Sequence, residues 1–309
     1  MKRRIAIVGA GAIGGYYGAK LARAGGDVHF LLRSDLETVA RDGIRVRERT
    51  EEEFTIQPVN CYGITADIGP CDLVLVALKA TANNALPKLL APLLDERTIL
   101  LTFQNGLGNE EFLAKHFGAS RVIGGLCFVC LNRTAAGLIE HYDVGRIALG
   151  EFEGGVQRRT AEIAQQFVAA GVNCTVVDNL QLERWRKLVW NIPFNGLAVS
   201  AGGITTDRIL RDARLREYAL QLMHETIDAA NRCGFALAPG EADVQMERTG
   251  PLGAYRPSTL IDFEAGRPLE VEAIWGEPLR RAAAAGADTP RLRGLYADLQ
   301  KINRRLGCS

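Results

Sequence analysis

The chain has 309 residues, of which 47% are hydrophobic and 24% are charged. This apolar fraction is typical of a folded globular protein and excludes an intrinsically disordered chain, and the length predicts about two domains. The 37 Lys and Arg residues nearly balance the 36 Asp and Glu residues, which gives a formal net charge of +1. A general binder of nucleic acid or of an acidic membrane needs an excess of cations, so we expect neither partner.

The cysteines and the apolar runs bear on compartment. The 7 cysteines are irregularly spaced, which does not fit a disulfide framework, and no run approaches the roughly 20 apolar residues that span a bilayer. We therefore expect a reduced, cytoplasmic protein. Cys127 and Cys130 have the spacing of a redox or zinc motif, but no second Cys or His pair completes a site. We interpret them as part of a buried strand and expect no metal.

The first part of the chain alternates between strand-like and helix-like patterns. The predicted elements are strands at 5–8, 28–32, 73–78, 98–103, 122–129, 138–142 and 146–151, an antiparallel excursion at 45–59, and helices at 14–24, 83–94, 110–116 and 157–170. Such alternation predicts an α/β fold with a doubly wound parallel sheet and helices on both faces.

Strand-like runs almost disappear after Asp178. Helices are predicted at 182–201, 208–233, 241–248, 269–285 and 289–304. We therefore expect a sheet domain at residues 1–178 and a mostly α-helical domain at residues 179–309.

A GxGxxG motif follows the first strand and opens the first helix, which is the context of a Rossmann-type dinucleotide-binding fold. Its residues are Gly9, Ala10, Gly11, Ala12, Ile13 and Gly14. The first glycine permits a tight turn, the second lets the backbone approach a pyrophosphate, and the third allows close packing of helix on strand. The amides and dipole of the helix N-terminus favour the anion. The alternative is a glycine-rich turn without a ligand.

The end of the second strand bears on the choice between NAD and NADP. An NAD enzyme usually places an acid there, whereas this strand ends at Arg33-Ser34. A guanidinium and a hydroxyl suit a 2′-phosphate, so we predict NADP(H). Asp35 follows one position later and keeps NAD open, and Arg33 could instead be a solvated surface charge.

Two further polar positions follow predicted strands. Lys79 ends the third strand, and Asn105-Gly106 follows the next one. Ligands of open α/β sheets lie outside the carboxyl ends of the strands, so both positions are candidates to face the cofactor. The alternatives are a strand end in water and a simple turn.

The second domain contains one informative helix. Lys187, Asn191 and Asn195 are spaced i, i+4 and i+8, which places them on one face of a helix otherwise rich in apolar residues. An ammonium in a partly dry cleft can donate a proton near neutral pH. The alternative is a polar stripe on the surface. Pro193 lies inside this helix and is expected to kink it. From its position alone, Glu270 fits an acid that complements a helix dipole.

These residues, taken together, resemble the ketopantoate reductase (2-dehydropantoate 2-reductase) family over nearly the whole chain. The matching segments are the glycine motif, Leu32-Arg33, Leu78-Lys79-Ala80, Gln104-Asn105-Gly106, Trp185-Arg-Lys187-Leu with Asn191 and Asn195, and Ser258-Thr-Leu-Ile-Asp262 leading to Gly266-Arg-Pro-Leu-Glu270.

The resemblance implies NADPH-dependent reduction of a 2-keto acid to a D-2-hydroxy acid. Lys187 would protonate the forming alkoxide, and Glu270 would orient that lysine. Asn191 and Asn195 would hold the substrate hydroxyl, and Ser258 would bind the carboxylate. Such a set is chemically coherent, because an ammonium aimed at the developing oxyanion stabilises it and delivers the proton.

The resemblance also implies cofactor contacts beyond the glycine motif. Asn105 would lie between cofactor and substrate, and Lys79 and Cys130 would contact the nicotinamide side. The expected partner is a small 2-keto acid, and a homodimer is left open.

Departures from the family pattern at four positions leave the exact substrate open. They are Thr205, Thr259, Glu272 and Trp275, and we expect them around the substrate pocket. One alternative is therefore a reductase of another 2-keto acid on the same scaffold. A remoter alternative is a non-catalytic dinucleotide-sensing protein, which would need the glycine motif but no proton donor.

Overall fold

The computed structural model describes residues 2–49 and 52–307. The chain forms two compact units. The first, here called the sheet unit, comprises Met1–Gln104 and Asn109–Leu180, and the second, the helical unit, comprises Asn105–Gly108 and Gln181–Ser309. Across the described ranges, every helix is either too short or too polar to cross a membrane.

The sheet unit is built on one 10-stranded sheet. In chain order its strands are β1 (Arg4–Val8), β2 (Asp27–Leu31), β3 (Ile44–Glu48), β4 (Phe54–Ile56), β5 (Asn60–Tyr62), β6 (Leu73–Val76), β7 (Ile99–Thr102), β8 (Val122–Ala135), β9 (Leu138–Glu151) and β10 (Asn173–Val176). Their order across the sheet is β4-β3-β9-β8-β7-β6-β1-β2-β5, and β10 pairs with β9. The run β5-β2-β1-β6-β7-β8 is parallel throughout and has the Rossmann strand order, which confirms the predicted fold class.

Helices cover both faces of this parallel run. They are α1 (Ala12–Arg23), α2 (Leu36–Asp42), α3 (Leu86–Leu90), α4 (Asn109–Phe117) and α5 (Arg158–Ala169). Alternate residues of a strand point to opposite faces. In β1, Ile5 and Ile7 therefore join an apolar cluster with α1 and α5, whereas Ala6 and Val8 join a second cluster with α3 and α4.

The structure corrects two predictions in this unit and shows elements that were not predicted. The predicted strands at 138–142 and 146–151 are one strand, β9, which runs antiparallel to β8 past irregular register, so the sheet is mixed. The predicted helix at 83–94 is α3 between the 3-10 segments Ala80–Ala85 and Ala91–Leu93, because prolines stand at the starts of α3 and of the second 3-10 segment. Strands β5 and β10 and helix α2 were not predicted, whereas the antiparallel excursion expected at 45–59 is confirmed as the pair β3–β4.

A buried charged cluster ties α1 to β3 and β9. The ammonium of Lys20, which is 4% exposed, lies 3.0 Å from Glu48 Oε1, and the ring of His141 hydrogen-bonds the other carboxylate oxygen. Burial raises the pKa of Glu48, but the hydrogen bonds from His141 and Lys20 outweigh it and hold that pKa below its usual value. The cluster therefore keeps its charges compensated inside the fold.

The helical unit packs around its first helix. Its elements are α6 (Leu180–Ser200), α7 (Thr206–Arg211), α8 (Ala213–Arg232), α9 (Glu241–Thr249), α10 (Ser258–Glu264), a π-helical turn (Glu272–Gly276), α11 (Glu277–Ala284) and α12 (Pro290–Arg305). Helix α6 continues through Pro193 to Ser200. Trp185 and Ile192 of α6 pack with Trp275, whose indole N–H donates to Ile192 O at 3.0 Å. The mostly helical character predicted for this part of the chain is confirmed.

Three helix predictions in this unit need correction. The helix expected at 208–233 is divided at Asp212, whose carboxylate accepts from the backbone N–H groups of Arg214 and Leu215 and so caps α8. The helix expected at 269–285 begins at Val271 and passes through the π turn before α11. Helix α10 was not predicted, because it is short and Pro257 at its N-cap supplies no capping side chain.

Candidate active site

The glycine motif forms the connection between β1 and α1. Gly9 has φ +102°, and a Cβ there would lie 2.5 Å from Leu78 N. A Cβ at Gly14 would overlap Gly9 O, whereas a Cβ at Gly11 would meet nothing within 4 Å. Helix α1 begins without a side-chain cap and without an acidic residue in its first turn. The open space at Gly11 and the helix N-terminus together suit a phosphate-bearing ligand that approaches the backbone.

The two charged residues that follow β2, Arg33 and Asp35, lie in different environments. Arg33 is exposed, whereas Asp35 is only 7% exposed. The carboxylate of Asp35 accepts from Ser34 Oγ at 2.7 Å and forms an ion pair with Arg133 of β8. Burial raises the pKa of Asp35, but the bonds from Arg133 and Ser34 outweigh it and lower that pKa. The acid that kept NAD open is therefore engaged within the protein.

Arg133 was missed by the sequence reasoning. It lies 98 residues from Asp35 along the chain, so no local pattern connects the two. The pair lines a small pocket together with Ala10 of the glycine motif and Leu32, which directly follows β2. This places Arg133 and Asp35 beside the residues expected to hold the cofactor.

Lys79 and Cys130 lie on different elements of the sheet unit. Strand β6 ends at Val76, so the prediction that Lys79 ends the strand is wrong by a short stretch; the exposed Lys79 is instead the N-cap of the 3-10 segment Ala80–Ala85. Cys130 is half-buried on β8 at a register shift, and Cys127 is buried on the same strand, as predicted. Among residues 2–49 and 52–307, no group of three or more potential ligands could hold a metal ion.

The segment Asn105–Gly108 leaves the sheet unit after β7. In the sheet unit, Gln104 Nε2 donates to Asn83 Oδ1 at 2.7 Å, and Asn83 Nδ2 donates to Asn109 Oδ1 at 3.0 Å. Asn83 therefore holds both residues that flank the segment. The segment itself belongs to the helical unit, which sequence position alone did not indicate.

The polar face of α6 carries the predicted catalytic lysine. Lys187 is half-buried, and its Nζ donates to Asn105 Oδ1 at 2.9 Å. Asn191 is 7% exposed and Asn195 is 2% exposed. The stripe is therefore buried at its two asparagines, which does not fit the alternative of a solvated surface stripe.

Asn195 contacts the start of α10. Its Oδ1 accepts from the backbone N–H of Thr259 at 3.1 Å and from Ser258 Oγ at 3.4 Å. A backbone N–H can only donate, so the atom facing Thr259 must be the amide oxygen. Asn195 thus caps α10 from another helix, and its NH2 group is the end that can donate to a ligand. Ser258 is exposed beside it.

The other predicted residues of the helical unit occupy different environments. Glu270 is 6% exposed and directly precedes the helix that contains the π turn. Glu272 belongs to a surface network with Arg280 and Tyr296, and Trp275 is in the core. Thr259 is buried beside Asn195.

Thr205 N-caps α7 and bonds Asp207. The four departures therefore occupy different environments, and their expected place around the substrate pocket stays a prediction. Of the four positions, Thr259 is the one seen against a predicted substrate residue.

Comparison with known proteins covers almost the whole chain. Residues 5–154 match the family described as "Ketopantoate reductase PanE/ApbA", and residues 179–303 match "Ketopantoate reductase PanE/ApbA C terminal". A 2-dehydropantoate 2-reductase of Nostoc sp. is 43% identical over 98% of this chain and 96% of its own length. The crystal structure of 2-dehydropantoate 2-reductase from Geobacter metallireducens is 47% identical, with a TM-score of 0.94 over 96% of this chain and 99% of that one.

Two further structures extend the similarity. The 2-dehydropantoate 2-reductase of Methylococcus capsulatus is 33% identical, with a TM-score of 0.90 over 99% of this chain and 98% of that one. The structure of D-mandelate dehydrogenase with NADH and anilino(oxo)acetate is 20% identical, with a TM-score of 0.91 over 100% of both chains. At that identity the last similarity shows a shared fold.

Proposed function

The chain belongs to the ketopantoate reductase family, and on this premise we propose that it reduces 2-dehydropantoate to D-pantoate with NADPH, a step of pantothenate biosynthesis. The observation that carries the proposal is the hydrogen bond from Lys187 Nζ to Asn105 Oδ1, at 2.9 Å, on the polar face of α6. Residues 1–178 would hold the cofactor, and residues 179–309 would supply the proton donor and most of the substrate contacts. A cytoplasmic location and a homodimer stay predictions.

The glycine motif fits a bound dinucleotide. The space beside Gly11 and the uncapped start of α1 would accept the pyrophosphate, and Arg33 would meet the 2′-phosphate. Engagement of Asp35 by Arg133 supports NADP(H), because a free carboxylate would favour the ribose hydroxyl of NAD. When bound, NADPH supplies the hydride that adds to the ketone carbon. Contacts of Lys79 and Cys130 with the nicotinamide side stay predictions.

Lys187 is the proposed proton donor. Hydride addition breaks the carbonyl π bond and leaves its electron pair on oxygen as an alkoxide. The Lys187 ammonium stabilises that charge and transfers a proton to the oxygen, which gives the hydroxyl of the product and a neutral amine. Asn105 fixes the direction of the ammonium through its side-chain oxygen. Glu270, buried in the same unit, is proposed to orient Lys187.

The substrate contacts are proposed for three residues. The NH2 group of Asn195 would donate to the substrate hydroxyl oxygen, since its carbonyl end caps α10. Asn191, one helical turn away on the same face, would act with it. The exposed hydroxyl of Ser258 would donate to the substrate carboxylate.

A second candidate is the reduction of another 2-keto acid on the same scaffold. The supporting observation is Thr259, which departs from the family pattern and lies buried against Asn195. A change in side-chain size next to a substrate residue alters the fit of a hydrophobic substituent, an effect of about 1–3 kcal/mol per methylene.

The test is a steady-state assay of the purified full chain. NADPH and NADH are each combined with 2-dehydropantoate and with a panel of branched and aromatic 2-keto acids, and cofactor oxidation is followed by absorbance. Turnover of 2-dehydropantoate with NADPH is expected to dominate. Turnover of another acid with none of 2-dehydropantoate would favour the second candidate.

A matched pair of variants tests the proton donor. Lys187→Ala is expected to lower kcat by about 10²–10⁴-fold with NADPH binding retained. Lys301→Ala, at a surface lysine of α12 that is 61% exposed, is expected to leave kcat unchanged. Equal rates for the two variants would remove the catalytic assignment of Lys187.

A further inference from the structure

The segment Asn105–Gly108 is anchored on the backbone of the π turn. Leu107 N–H donates to Ala273 O at 2.9 Å. Gly106 has φ +85°, and a Cβ there would overlap Ala273 O and Ala273 C. Gly106 therefore packs directly against the Ala273 carbonyl group, at a distance that only glycine permits.

The π turn explains why this carbonyl accepts a bond from outside its helix. In an α-helix, Glu277 N–H would donate to Ala273 O; here it donates to Glu272 O instead. Continued π geometry would require an N–H at position 278, which is Pro278. Ala273 is only 7% exposed, and a buried carbonyl needs a donor. Leu107 N–H supplies it.

We propose that the π turn, Pro278 and Gly106 form a positioning device for the proton donor. The inference rests on the proposed function, in which Asn105 directs Lys187. Gly106 and Leu107 directly follow Asn105, so docking their backbone on Ala273 O fixes the point from which the Asn105 side chain reaches Lys187 Nζ. Gly106 and Pro278 are positioning residues, because they act through Asn105.

The primary test compares two alanine substitutions in one loop. Gly106→Ala adds a methyl group that overlaps Ala273 O and lifts the loop. Gly108→Ala is the matched control: its φ is +90°, so the backbone strain is similar, but its Cβ would meet nothing closer than Glu277 Cγ at 3.6 Å. We expect Gly106→Ala to lower kcat by about 10- to 100-fold, as displacement of a catalytic group does, and Gly108→Ala to change kcat much less.

The pH profile separates positioning from general damage. A carbonyl oxygen hydrogen-bonded to an ammonium stabilises its charged form. If the contact between Asn105 and Lys187 is lost, the alkaline limb of the kcat profile moves to lower pH. Gly106→Ala and Asn105→Ala should show the same movement, and the double variant should be no worse than Asn105→Ala alone, because both changes break one interaction.

The variant Pro278→Ala tests the bond between Leu107 N–H and Ala273 O by a change in the helix instead of the loop. It restores an N–H that can extend the π register to Ala273 O and compete with Leu107, with no added bulk in the loop. We expect a smaller fall in kcat with the same movement of the alkaline limb. This variant keeps the test decisive if Gly106→Ala does not fold, as judged by its thermal transition.

The outcomes distinguish this inference from the proposed function. Equal kcat and equal pH profiles for Gly106→Ala and Gly108→Ala, or a wild-type profile for Pro278→Ala, would overturn the positioning device. If Lys187→Ala and Asn105→Ala themselves leave turnover unchanged, the proposed function fails first.

Discussion

The substitution Asn195→Ala tests whether Asn195 of α6 caps the N-terminus of α10. The substitution removes the oxygen that accepts from Thr259 N–H at 3.1 Å and from Ser258 Oγ at 3.4 Å. Pro257, at the N-cap of α10, cannot replace it. Pro257→Ser places a hydroxyl at that N-cap and can restore the bond locally.

The magnitude follows from the burial of the cap. Loss of an N-cap costs about 1 kcal/mol on average and up to about 2 kcal/mol. Thr259 is 3% exposed, so water does not readily replace the lost acceptor and the cost moves to the upper end. We expect Asn195→Ala to lower the free energy of unfolding by about 2 kcal/mol. Adding Pro257→Ser should recover about 1 kcal/mol in that background and much less in the wild type.

The assay is a double-mutant cycle on the full chain. Denaturant unfolding gives the stability of the wild type, both single variants and the double variant. Steady-state kinetics on the same four proteins tests the second role of Asn195: the serine restores stability but cannot restore a donor to the substrate, so KM for the 2-keto acid should stay raised. An identical effect of Pro257→Ser in both backgrounds would refute the capping role.

The remaining predictions concern charged and thiol groups of the sheet unit. Lys20→Met should lower the free energy of unfolding by about 3–5 kcal/mol in denaturant titrations. Because the folded-state pKa of Glu48 is lowered, its ionised carboxylate stabilises the fold fully above the unfolded pKa and less as pH falls through the lowered value. A loss of stability in Lys20→Met that persists at low pH would contradict this role of Glu48. Arg133→Ala should reduce the NADPH-to-NADH ratio of kcat/KM by about 10-fold, because it leaves the Asp35 carboxylate without its cation near the 2′-phosphate. Adding Asp35→Asn should cancel this effect. A ratio unchanged by Arg133→Ala would exclude a role of Arg133 in cofactor preference. Partial burial raises the pKa of the Cys174 thiol to about 12, so an alkylating reagent should modify it much more slowly in the native than in the unfolded protein. Equal rates would contradict the raised pKa.

The sequence predicted most of the regular elements because their patterns are local. The strand, glycine turn and helix at the N-terminus repeat apolar residues with clear periods, and positive-φ glycines such as Gly25 and Gly171 follow α1 and α5. The π turn at Glu272–Gly276 has no comparable period, since it shifts the helical register within one turn. It therefore appeared in the sequence as ordinary helix.

The sequence identified residues of the candidate site but not their tertiary contacts. The i, i+4, i+8 spacing placed Lys187 and Asn195 on one face of α6, and both lie on that helix. Their partners, Asn105 and Thr259, are distant along the chain, and so is Arg133 from Asp35. Only tertiary structure brings such pairs together, so a periodicity argument cannot find them.

The strand order has a consequence for the edges of the sheet. β4 and β5 stand at opposite ends of the path β4-β3-β9-β8-β7-β6-β1-β2-β5. If the sheet were flat, eight strand intervals would separate them by about 38 Å. Yet the link from Ile56 to Asn60 can span at most about 14 Å. The path must therefore curl back until β4 and β5 are neighbours.

One short stretch of chain, Ile44–Tyr62, thus supplies the strands at both ends of this path, and each is short, from Phe54 to Ile56 and from Asn60 to Tyr62; β10, which branches off β9, is a further short end strand. Long open edges invite pairing with other chains and aggregation. Here β4 and β5, with three residues each, offer only a few unpaired backbone groups. Loss of this stretch would leave the longer strands β9 and β2 at the two ends of the path, so the short end strands limit edge-to-edge pairing with other chains.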